Sequence, residues 1–270
     1  SNLVSGEKRI EEHMLMSTSI KMKSSSSSDA NMGKSAAIVQ SAYIPWKGFF
    51  ELIYDVDVFV FFDSVQYQKR RYVNRNRIKS PLGTRWISVP VRGSTKFTIR
   101  ETKIGEKNWI DAHHSSLQQS YKSSPSWSVV SRFIESMRNL GARTISELNQ
   151  HVIREICEWM GITTELICSS DIPQHGQRSE RLISILRQLG ADSYISGPAA
   201  KSYITDEFEQ AGIELSWKNY DGYPEYEQPH GPFEHEVTVL DLIASKGLDS
   251  QEYIWGWRDQ DTPSHSRNEC

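Results

Sequence analysis

Short apolar runs alternate with helical periodicities through the middle of the chain. Ala36-Ala-Ile-Val-Gln40 and Asp57-Val-Phe-Val-Phe-Phe62 are near-continuous runs of β-formers, the pattern of strands covered on both faces of a parallel sheet. Between them Phe49, Leu52, Ile53 and Val56 recur at helical spacing, which predicts a strand–helix–strand unit. Arg85-Trp-Ile-Ser-Val-Pro-Val91 alternates and reads as a half-exposed strand. Thr144-Ile-Ser-Glu147 is a capping box; it opens a helix with Leu148, Val152, Ile156 and Met160 on one face and Gly161 as its stop. Glu165-Leu-Ile-Cys168 is strand-like, and Leu182, Ile185, Leu186 and Leu189 mark another helix, ended by Gly190. A strand over 193–196 follows, with a turn at Gly197-Pro198, a strand over 213–217 and a helix over about 237–246. The expected fold is α/β: a mostly parallel sheet flanked by helices, Rossmann-like, with an added helical segment.

The ends of the chain break this pattern. The first 33 residues hold the serine run Ser24–Ser28 among scattered charges, and such a segment buries too little apolar surface to offset its ordering entropy. They are read as a disordered leader or tag, with Met32 as the natural start and no apolar stretch of the kind a secretory signal needs. Residues 258–270 form a polar tail, which leaves 34–257 as a single domain. Of 270 residues, 31 are Lys or Arg and 34 Asp or Glu, a net charge of −3 that excludes a global polycation. Twenty-eight aromatics (8 Trp, 11 Tyr, 9 Phe) suit a folded core. No apolar run has the roughly 18 residues of a membrane helix. Cys157, Cys168 and Cys270 form no CxxC pair, so a reducing cytoplasm is expected, with Cys157 as a small buried hydrophobe. The eight histidines lack zinc-ligand spacing, and no metal site is expected.

Four stretches carry candidate chemistry. The turn Gln40-Ser-Ala-Tyr-Ile-Pro-Trp-Lys-Gly48 leaves the first strand and enters the first helix, where open α/β sheets bind ligands; Tyr43 and Trp46 offer stacking surfaces there, although Pro45-Trp46 would equally make a tight corner. Asp63 and Gln66 follow the second strand in the corresponding position, placed to orient or deprotonate a substrate hydroxyl or amine, or merely to cap the next turn. Tyr67–Lys79 holds six basic residues and no acid. Lys69, Arg70, Arg75 and Lys79, with Asn74 and Asn76, make it a candidate phosphate-binding segment, the alternative being a solvated basic loop. Ser196-Gly197 after a strand allows close approach by a ligand, and Arg181 lies near the start of the preceding helix. Gln228 and His235 lie in an aromatic, proline-rich loop, and His114 is a candidate general base, though a lone histidine on a helix face is more often structural. No second basic stripe exists, which argues against nucleic acid as partner and for a small phosphorylated ligand. There is no Walker A loop, GxSxG elbow, GxGxxG or HExxH.

Taken together, Gln40-x-x-Tyr-Ile-Pro-Trp-x-Gly48, Asp63-x-Val-Gln66 with Lys69-Arg70, Asn74-Arg-Asn76, Tyr194-x-Ser-Gly-Pro198, Tyr226-x-Gln228, Phe233 and Asp241-Leu242 resemble the WbqC-like family of bacterial proteins over about 36–247. The resemblance implies a role in surface-polysaccharide (O-antigen) synthesis. It points to a transferase that moves a small acyl or aminoacyl group to an amino sugar or nucleotide-linked sugar, with no bound cofactor beyond a nucleotide-activated substrate. A fainter likeness to nucleotidyltransferases of the HIGH type implies a nucleotide-binding alternative, but Trp46 and Phe49 stand where that class has its phosphate-stabilising histidines. A single-stranded nucleic-acid binder is the third reading.

Overall fold

The computed structural model describes residues 33–92, 96–105, 108–202 and 206–258; the expected leader up to residue 32 and the tail beyond 258 lie outside them. Five strands, β1 (Lys34–Val39), β2 (Val58–Phe61), β7 (Glu165–Cys168), β8 (Ala191–Ser196) and β9 (Glu214–Trp217), form one all-parallel sheet. Their order is β7-β2-β1-β8-β9. Period-two alternation divides the strands between two cores. Ala37, Phe59 and Phe61 face one, with α1 (Lys47–Tyr54), α2 (Trp109–Tyr121), α3 (Trp127–Leu140), α4 (Ile145–Trp159) and α7 (Val239–Lys246). Ala36, Ile38, Val58 and Val60 face the other, with α5 (Arg178–Leu189) and α6 (Glu207–Gln210). Both faces are covered, which is why these strands read as unbroken apolar runs. The architecture is therefore the α/β layer fold that the pattern predicts, and α2–α4 supply the added helical segment.

The local signals map onto caps. The Thr144 side chain accepts from the Glu147 N–H while the Glu147 carboxylate accepts from the backbone N–H of Thr144, completing the capping box of α4. Gly190 takes a left-handed φ of 65° where α5 stops. Cys157 is 2% exposed, as its apolar neighbours predict.

The basic segment differs from either expectation of a loop. Its second half is β3 (Arg75–Ser80), paired antiparallel with β4 (Gly83–Ser88) so that Arg75 faces Ser88 and Arg77 faces Trp86. β3 carries a single large apolar residue, Ile78, so its strand character comes from its partner and not from its own pattern. The expected single strand over 85–91 is likewise two pieces, β4 and the short β5 (Val91–Arg92), the latter paired with β6 (Lys103–Ile104). No helix among the described residues is long and apolar enough to cross a membrane.

Candidate active site

The chain runs outward from β1 to β2 and β7, then returns to add β8 and β9 on the other side of β1. The order therefore reverses between β1 and β8, and ligands of open α/β sheets bind outside the carboxyl ends of the strands at such a reversal. A cavity of about 1110 Å³ opens there. Its floor is the end of β1 (Val39, Gln40, Ser41) and the end of β8 (Ser196, Gly197). The first turn of α5 contributes Arg178, Ser179 and Arg181 to its wall, and the basic segment contributes Arg71, Tyr72 and Asn76. Trp46, Phe49 and Tyr220 add an aromatic side, and Glu236 is the carboxylate of the lining. Three arginines against one carboxylate make the lining electropositive. The N-cap of α5, Gln177, makes no side-chain cap, so the first-turn N–H groups lack the partner that usually satisfies them.

Six of the expected positions line this cavity: Gln40, Trp46, Asn76, Arg181, Ser196 and Gly197. Asp63 stands behind it, 3% exposed, with its carboxylate taken up by the fold. Oδ1 accepts from the Ser41 N–H at 2.9 Å, and Oδ2 accepts from Ser146 Oγ at 2.5 Å and Gln150 Nε2 at 3.2 Å. It thus pins the lip of β1 to α4. Gln66 is exposed and bridges Thr98. Tyr43 is fully buried, and His114, on α2, packs parallel to the Trp127 ring at 6.1 Å and does not line the cavity. Lys69 and Arg70 are exposed and do not line the cavity, while Arg75 lies across the Trp86 ring, 4.1 Å from its centre. Asn74 is occupied by Tyr67 and the Val89 carbonyl.

Asn76 ties the basic segment to the turn that leaves β1. Its Nδ2 donates to the carbonyls of Tyr43 (3.0 Å) and Ile44 (2.8 Å), holding Ile44 at a φ of 36°, a region that β-branched residues rarely enter. Gly48 completes the turn, because a Cβ there would lie 2.4 Å from the Trp46 indole. The Gln40–Gly48 block is thus shaped to lay Trp46 over the first turn of α1.

A second polar cluster lies one layer behind the aromatic wall. Lys47, 2% exposed, sits 4.7 Å from the centre of the Tyr223 ring and 5.4 Å from that of Tyr226, and burial lowers its pKa to about 8. Gln228 donates to the fully buried Asp241 at 2.9 Å, Lys79 donates to the Pro232 carbonyl, and His235 packs on Phe233. The expected residues Lys79, Gln228 and His235 therefore gather here and not on the cavity wall. Burial and the Lys47 charge lower the His235 pKa.

His113, next to the expected His114, is the histidine that packs under the turn. Ser88 O can only accept, so His113 Nε2 carries the proton at 3.2 Å, and Nδ1 accepts from Tyr43 Oη–H at 2.8 Å. Burial lowers its pKa from 6.5 to about 4. Below pH 6.5 the unfolded chain takes up this proton and the folded chain does not. Stability is therefore expected to fall between pH 6.5 and about 4. Urea midpoints across that window should flatten in His113→Gln; an unchanged slope would place the loss elsewhere.

Among the described residues no group of three or more His, Cys, Asp or Glu is arranged to hold a metal. Sequence reasoning did not place Arg71, Arg178, Tyr220 or Glu236 at the site. Arg71 lay within the basic segment, Arg178 three residues before Arg181 and Tyr220 at the start of the aromatic, proline-rich loop, while Glu236 leaves no local mark.

An α/β protein with a cleft at its strand-order reversal is the class that fold and site define. The profile of the WbqC-like protein family matches residues 40–253, and the chain belongs to that family. It is 39% identical over 225 residues to a protein of Mycobacterium tuberculosis named "Uncharacterized protein Rv1507c", covering 82% of this chain and 97% of that relative. No solved structure matches the chain.

Proposed function

We propose that this protein is a transferase of bacterial surface-glycan synthesis that moves a small acyl or aminoacyl group from an activated acyl donor to an amino sugar or nucleotide-linked sugar held in the β1/β8 cleft. The observation that carries the reading is the cleft itself: a cavity at the strand-order reversal, lined by Arg71, Arg178 and Arg181 and by the open first turn of α5. An N-terminal helix turn and guanidinium forks are matched to phosphate oxygens. Arg181 donates through Nε to Gly176 O at 3.2 Å, which orients the guanidinium and leaves its terminal nitrogens for a ligand. Trp46 and Tyr220 supply flat surfaces for a base or sugar, and the backbone at Gly197 lets the ligand approach β8 closely. Glu236, ion-paired with Arg77 at 2.8 Å, is the lining carboxylate available as proton acceptor, while Asp63 positions Ser41 from behind.

The nucleotidyltransferase reading finds less support, because no histidine stands among the described residues of the lining. Isothermal titration with a panel of nucleoside diphosphate sugars tests the proposal. At least one is expected to bind, and Arg181→Ala should weaken it about ten- to a hundredfold, the contribution of charge-assisted hydrogen bonds. Failure of every member to bind, or equal binding by Arg181→Ala, would sink it. Pyrophosphate release from nucleoside triphosphates with Mg²⁺ would favour the nucleotidyltransferase reading instead.

A further inference from the structure

Residues 64–100 hold ten basic side chains and no acid, in a chain of net charge −3. This segment wraps from the cavity wall onto the β3–β4 hairpin. Alternation gives the hairpin two unlike faces. Asn76, Ile78 and Ile87 point inward and are buried. Arg75, Arg77 and Trp86 point outward, and Trp86 is 44% exposed. Tyr72, 45% exposed, stands beside Trp86 with ring centres 5.5 Å apart and the planes tilted by 43°. Tyr72 also lines the cavity, so the two surfaces are continuous. Arg75 is pre-set: its guanidinium lies 4.1 Å from the Trp86 ring centre, and Nη2 donates to the Arg70 carbonyl at 2.6 Å. None of Lys69, Arg70, Arg71 and Arg75 forms an ion pair with a described residue.

We propose that the outer face of the β3–β4 hairpin is a second sugar subsite beside the cleft, stacking an acidic sugar ring on Trp86 and Tyr72 and holding its carboxylate with Arg75. The inference rests on the transferase reading, in which the nucleotide-linked sugar fills the cavity. Two half-exposed rings tilted against each other form an open step, which fits the apolar face of a pyranose; a nucleobase is better held in a parallel slot. The unpaired cations select for negative charge. Glu234 and Glu236 bracket Arg77 at 3.6 and 2.8 Å and interrupt the basic track on the cavity side. That break favours an acidic oligosaccharide gripped by one carboxylate at Arg75 over a nucleic-acid strand, which engages several phosphates in succession.

The test is titration of the full chain with an oligogalacturonate hexamer, with maltohexaose and with a ten-nucleotide oligo(dT). The acidic oligosaccharide is expected to bind and the neutral one not to. Trp86→Ala and Arg75→Met should each weaken binding about tenfold, the scale of one aromatic or guanidinium contact. Nucleoside diphosphate sugar binding should be unchanged in both variants, so that failure of the cavity reading and failure of the subsite register separately. Both side chains are on the outer face, and an unchanged thermal midpoint checks the fold; if Trp86→Ala does not fold, Arg75→Met alone decides. No binding of the hexamer, equal binding of maltohexaose, or oligo(dT) binding lost in Trp86→Ala would overturn the proposal.

Discussion

Glu51→Ala is expected to destabilise the fold by about 3–5 kcal/mol, the cost of removing one partner from a buried ion pair. Glu51 lies in the middle of α1 with no exposed surface. Its carboxylate accepts from the Tyr223 hydroxyl and from Arg258 Nε, and stands 3.0 Å from Lys218 Nζ. Lys218 would keep Asp55 at 2.6 Å and Arg258, 30% exposed, would keep the Asn219 carbonyl at 3.0 Å, but Tyr223 would lose its acceptor in the interior. Burial and the Glu51 carboxylate together hold the Tyr223 hydroxyl protonated, its pKa raised far above 10.0, so it cannot compensate by ionising. Glu51→Gln keeps an acceptor and loses the charge, and should fall between the two. Urea unfolding reads both. A loss below about 1 kcal/mol in Glu51→Ala would mean that the two cations reach solvent when the carboxylate is gone. Arg258 begins the stretch that the sequence marks as a polar tail, yet it closes this cluster.

Asn76→Ala should cost about 2–4 kcal/mol and abolish ligand binding in the cleft. Two carbonyls, those of Tyr43 and Ile44, lose their donor in the interior, at about 1–3 kcal/mol for each orphaned group, offset in part by relaxation. Ile44 would also be free to leave its φ of 36°, and with it the turn that lays Trp46 along the cavity would relax. Thermal unfolding gives the stability term, and titration with a nucleoside diphosphate sugar gives the binding term. Asn76→Asp is the sharper variant, since it preserves shape but replaces the donor with acceptors. A stable Asn76→Asp protein that binds normally would show that the amide does not hold the turn.

The sheet was legible in the sequence because burial on both faces leaves β2 wholly apolar and β1 apolar from Ala36 onward, and the caps at Thr144 and Gly190 bounded two of the helices. The hairpin was not, because β3 reads Arg-Asn-Arg-Ile-Lys-Ser and is a strand only by virtue of β4. Charge was also a poor guide to exposure there. Lys79 is 1% exposed, its amino group satisfied by the Pro232 carbonyl. Asp63 shows the same limit at the site: its position after a buried strand could be read, but Ser146 and Gln150, which claim its carboxylate, lie more than 80 residues further on. The cavity floor was readable at Gln40 and Ser196. The wall formed by Arg178 and Tyr220 depends on how the chain returns across the sheet.

That return has a consequence for how the protein assembles. β1 and β8 are neighbours in the sheet but about 150 residues apart in the chain, so the cleft is absent until nearly the whole polypeptide has collapsed, and early folding species hold no binding site. A ligand seated there acts as a clasp between the first and last thirds of the molecule. At a hundred times its dissociation constant it would add about 2.7 kcal/mol against global unfolding. Resistance of the intact chain to proteolysis then becomes a reporter of occupancy that needs no knowledge of the reaction.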